Sequence, residues 1–135
     1  MKTLKIAMAL GIAAAASFSA AQQVIVGGQM IAFDAAPKMV NGTMMVPIKG
    51  VFEATGTDMR WRMDRQVIEG LRKGSKIEIW VGSRDARVND KGRTMDEAPY
   101  VWRGRTYAPL KFLADSLGYM MSIEHGDFVL QEIKR

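Results

Sequence analysis

At 135 residues and 48% apolar content the chain suits one domain with a core of its own, and it is too apolar to stay disordered. One histidine and no cysteine leave little from which to build a triad or a zinc site, and they exclude a disulfide framework. A formal charge of +5 is too mild for a nucleic-acid binder.

Residues 1–21, MKTLKIAMALGIAAAASFSAA, place Lys2 and Lys5 ahead of an apolar run from Ile6 to Ala16, with small residues at Ser19 and Ala21. This is the layout of a secretory signal peptide cut after Ala21. A retained anchor is the alternative, but the run falls short of the roughly 20 residues that cross a bilayer. The expected product begins at Gln22, is secreted or periplasmic, and makes no stable membrane insertion after cleavage. Its charge is then +3, from 17 basic and 14 acidic residues.

Gln23–Val26 and Met30–Phe33 read as short strands on either side of Gly27-Gly28, and Asn41-Gly42 marks a tight turn before Thr43–Val46. Pro47 opens a short helix that Gly56 closes, with Ile48, Val51, Phe52 and Thr55 on one face. Met59, Trp61 and Met63 then alternate with Arg60 and Arg62, the pattern of a half-buried strand, and Trp61 is assigned to the core. Strands follow at Val67–Leu71 and Lys76–Gly82, joined by Lys73-Gly74, with Ile77, Ile79 and Val81 inward and Trp80 on the opposite face. Asn89–Gly92 is a turn. A second helix runs from Pro109 to Gly118, with Leu110, Leu113, Ala114 and Leu117 as its buried stripe. Tyr119, Met121 and Ile123 share one face of the next strand, and Phe128–Ile133 forms the last after a turn at His125-Gly126-Asp127.

Much of this is said twice. Pro47 and Pro109 stand 62 positions apart, as do Asp34 and Asp96, Pro37 and Pro99, Gly42 and Gly104, Lys49 and Lys111, and Gly56 and Gly118. Prolines and glycines fix backbone angles, so the repeat speaks about architecture before chemistry. The expected fold is α+β: a compact antiparallel β-sheet domain over residues 22–135, with two short helices. It is read as two related halves, residues 34–71 and 96–133, each too small to shield its apolar face alone.

The residues carrying the repeat are Asp34-Ala-Ala-Pro37, Asn41-Gly42, Val46-Pro-Ile-Lys49, Glu53-Ala-Thr-Gly56 and Trp61, followed by Asp96-Glu-Ala-Pro99, Gly104-Arg-Thr-Tyr-Ala-Pro-Leu-Lys111 and Ala114-Asp-Ser-Leu-Gly118. Together they resemble the copper amine oxidase N-terminal-like domain, or stalk domain, over nearly all of the chain after residue 21. The sequence departs from that pattern at Lys49 and Lys111, at Thr43 and at Ile123, where family members often carry arginine, arginine and tryptophan. The resemblance implies a β-sheet and helix module of exported bacterial proteins that is not itself a catalyst.

No enzyme activity and no cofactor are expected. Copper oxidase chemistry needs several imidazoles and a modified tyrosine, and His125 is the only histidine. Asp96-Glu97 more simply fixes a turn before Pro99. Asn41-Gly-Thr43 matches a glycosylation sequon by chance composition. The alternative to a binding module is a small extracytoplasmic Cu(I) protein using Met120, Met121 and His125, although neighbouring residues on a strand point to opposite faces. The leading candidates are Trp80, Trp102, Arg103 and Arg105, an aromatic and basic surface suited to an envelope polysaccharide or an envelope protein. Trp80 or the strand edges are also candidates for joining identical chains.

Overall fold

The computed structural model describes residues 22–134. The expected signal peptide lies outside these residues. Among them are 13 strands and two helices in three sheets, an α+β fold rich in antiparallel pairing.

Each helix is set by its punctuation. Strand β4 (Thr43–Pro47) runs straight into α1 (Ile48–Thr55), and β11 (Arg105–Pro109) runs into α2 (Leu110–Leu117). The prolines hold extended backbone at the junctions, with φ of −61° at Pro47 and −62° at Pro109. At the other ends Gly56 and Gly118 take φ of 71° and 87°, where a side chain would be strained. The Gly56 and Thr57 N–H groups donate back to Glu53 and Phe52, which satisfies two of the last carbonyls of α1.

The central sheet has the order β10–β11–β4–β3, with β3 at Lys38–Val40 and β10 at Tyr100–Trp102. Strands β4 and β11 pair antiparallel as Met45 with Pro109, Val46 with Ala108 and Pro47 with Tyr107. A shift of 62 residues maps this register onto itself about Val46 and Ala108, both wholly buried. β10, β11 and α2 also begin and end 62 residues after β3, β4 and α1.

Two further sheets flank it. One has the order β12–β13–β1–β2, with β1 at Val24–Val26, β2 at Gln29–Met30, β12 at Tyr119–Glu124 and β13 at Asp127–Glu132. Its β1–β13 pairing is parallel. The other has the order β5–β6–β7–β8–β9: Asp58–Arg62, Val67–Arg72, Ser75–Trp80, Asp85–Val88 and Lys91–Thr94. Between the sheets, Val51 and Phe52 of α1 and Leu110, Leu113 and Leu117 of α2 pack with Ile77, Ile79, Phe128 and Leu130. Gly70 lets β6 approach this core closely, since a Cβ there would stand 2.7 Å from the buried Phe52 ring.

Several expectations need correction. Trp61 is 51% exposed and Met59 47%, because β5 is the outermost strand of its sheet and nothing continues the core past it. Met63 and Val81 fall just beyond β5 and β7, in turns, and are exposed. Ile123 is exposed on the outer strand β12. Strand β2 stops at Met30, while Ile31 and Phe33 pack on the core as irregular chain.

One side chain ties both helices down. Arg72, only 9% exposed, donates to Thr55 O (2.7 Å) at the end of α1 and Leu117 O (3.1 Å) at the end of α2, and also to Tyr119 Oη (3.1 Å) and Glu132 Oε2 (2.7 Å). Its charge thereby offsets the negative ends of two helix dipoles.

Candidate functional site

Because β5 closes its sheet, the side chains on its inner face border a groove instead of the core. Trp61 lies beside its register partner Ile68, and Met59 precedes it on the same face. The start of α1, Pro47 to Lys49, forms a second wall, and Arg103 to Thr106 with Asp34 form the third. The groove's volume is about 550 Å³.

The third wall depends on a tight turn. Arg103 and Gly104 have φ of 51° and 77°, the two left-handed residues of a hairpin turn between β10 and β11. The matching turn between β3 and β4 uses Asn41 and Gly42, at 49° and 83°. Asparagine tolerates this conformation better than arginine does. Arg103 therefore occupies a position that costs stability.

The groove is cationic. Arg105 pairs with Asp34 at 3.1 Å, although its Nε–H does not point squarely at the oxygen, and it donates through Nη1 to Arg103 O at 3.1 Å. This guanidinium holds the Asp34 carboxyl below the usual carboxylate range. Lys49 makes a loose pair with Glu53 at 3.9 Å, both well exposed. Arg103 forms no ion pair among the described residues. Three cations thus face one carboxylate, which Arg105 already engages.

The arginine candidates, Arg103 and Arg105, therefore come together, but the tryptophan beside them is Trp61. Trp102 is half-buried and does not line the groove: Lys38 Nζ lies 3.1 Å and Arg103 Cζ 4.4 Å from its ring centroid. It also meets Tyr107 edge-on, with the centroids 6.4 Å apart. Tyr107 stacks on Tyr100 at 5.1 Å and donates through its hydroxyl to Ala36 O at 3.0 Å. Burial raises the pKa of both tyrosines. Trp102 thus braces the turn from beneath. Trp80 lies elsewhere, half-buried opposite Val67 on the other face of its sheet. The basic cluster Arg60-Trp-Arg62 is visible in the sequence, and charges of this kind are typical of edge strands, which is the signal for the exposure of Trp61.

That other face carries a buried acidic pair. Glu69 and Glu78 stand opposite each other on β6 and β7, and Arg65 reaches back from the turn to within 3.1 Å of one and 3.6 Å of the other. Arg62 adds a contact of 3.8 Å to Glu69. The hairpin carrying Trp61 is thereby fixed from behind.

The two methionine candidates lie on opposite faces of their strand. Met120 is exposed, while Met121 packs on the core from the opposite face of β12, and His125 sits in the following turn at φ 54°. Among the described residues, His, Asp and Glu form no group of three able to hold a metal. Nor is any described helix long and apolar enough to cross a membrane.

No curated protein matches the chain. The family model of the copper amine oxidase N-terminal domain does, over residues 25–129, which takes in both helices and every wall of the groove. The chain belongs to the copper amine oxidase N-terminal domain family.

Proposed function

We propose that the protein is a non-catalytic module exported to the cell envelope, where the groove beside β5 binds an anionic envelope component, a glycan or a protein. The observation that carries this reading is Trp61: a large aromatic ring, half exposed, in a groove with three cations and one engaged carboxylate. An indole in such a setting supplies contact area at little entropic cost, and the surrounding charge attracts and orients an acidic partner. Membership of a family whose domain is non-catalytic supports the same conclusion.

Co-sedimentation with a purified envelope fraction, at low and moderate salt, tests this function. Saturable pelleting that survives moderate salt and weakens about tenfold or more in Trp61→Ala is expected, with Trp80→Ala unaffected. Pelleting that ignores Trp61, or vanishes on modest salt addition, would refute it. Amino-terminal sequencing of the exported protein tests the expected start at Gln22.

A further inference from the structure

The groove has an open side. Among the described residues β5 pairs only with β6, so its outer backbone edge is unpaired, and all five residues from Asp58 to Arg62 are exposed. Such an edge offers N–H and C=O groups in the geometry that an added strand takes.

Charge limits what can be added. Asp58, Arg60 and Arg62 share one face of β5, so that face carries two cations to one carboxylate, and a second β5 centred on Arg60 would set arginine against arginine there. Arg60 forms no ion pair among the described residues, although Glu69 is its register partner on β6. On the opposite face of β5 the unpaired Arg103 overlooks Met59 and Trp61. Both faces therefore present a cation without a carboxylate partner, and one of them also presents exposed apolar surface.

The pleat converts this into a pattern. Side chains of an added strand alternate between the two faces, one set beside Arg60 and Arg62, the other beside Met59 and Trp61. We propose that the edge of β5 and the groove together bind an extended acidic segment of a partner protein. The segment forms a sixth strand of the sheet, with acidic residues beside Arg60 and Arg62 and apolar residues at alternate positions over Met59 and Trp61. This rests on the reading of the groove as a binding site and names its partner class.

Binding of short capped peptides to the purified protein tests the inference. One peptide alternates glutamate and valine, and a second has the same composition in two blocks. Two further peptides are the alternating one N-methylated at one or the other alternate set of backbone nitrogens. The alternating peptide is expected to bind about tenfold or more tightly than the block peptide, and to lose about tenfold in Trp61→Ala and in Arg60→Glu. Methylation of one set should abolish binding while methylation of the other is tolerated, because only alternate N–H groups face the sheet edge. Equal binding of alternating and block peptides, or no difference between the methylated pair, overturns strand addition. If envelope pelleting still depends on Trp61 in that case, only the strand-addition inference falls. Pelleting indifferent to Trp61 removes the groove reading itself.

Discussion

Two turns 62 residues apart, Asn41-Gly42 and Arg103-Gly104, have nearly the same backbone and very different surroundings. The first carries asparagine, which suits left-handed φ, and its side chain donates to Glu97 at 3.2 Å. The second carries arginine, which does not, and projects charge over a groove with Trp61 and Arg105. The strands in the matching positions differ in the same sense: β5 offers Arg60, Trp61 and Arg62, and β12 offers Ser122, Ile123 and Glu124. With geometry held constant, the second turn carries the costlier residue, and the binding role proposed for the groove would give that arginine a use beyond folding.

The largest test acts on both regions together. Arg72→Ala removes four hydrogen bonds and leaves carbonyls at the ends of both helices without their donor. A loss of about 3–4 kcal/mol is expected, read as a lower urea midpoint. Gly70→Ala acts on the β5 side alone, because the new methyl group would press on Phe52, which has no room to move. It should cost about 1–3 kcal/mol, with the β5–β6 amides losing protection first.

A reciprocal exchange sharpens the comparison. Arg103→Asn should raise stability by about 0.5–1 kcal/mol while weakening binding, and Asn41→Arg should lower stability by a similar amount without creating a site. Thermal melts together with the pelleting assay separate these outcomes, and a neutral effect of Arg103→Asn on both would dissolve the contrast. The smallest effect is acid sensitivity at Glu132. Lys73 and Arg72 hold its carboxyl at about 2, below the ordinary 4.5, so its stabilising contribution is complete above the ordinary value and disappears as pH falls toward 2. The fall in urea midpoint over that window should be shallower in Glu132→Gln than in the wild type.

The helices were legible because proline and glycine act locally: Pro47 with Gly56 and Pro109 with Gly118 set both ends without help from the rest of the fold. The face on which Trp61 lies was legible too, from alternation. Its exposure was signalled only by the flanking arginines, since being outermost in a sheet depends on which strands find each other. Strand β9, Lys91–Thr94, escaped for a related reason: it has no apolar side chain and owes its conformation to backbone pairing with β8. The brace under Arg103 could not be read either, because Lys38 reaches Trp102 from far away in the sequence.

The guanidinium of Arg72 also bears on how the molecule opens. Since one side chain closes the last turn of both helices, neither can fray without disturbing the anchor of the other. Amide hydrogens near Thr55 and Leu117 should then exchange through a shared opening with one common free energy, and a binding event that tightens the groove beside α1 should slow exchange at the end of α2 as well.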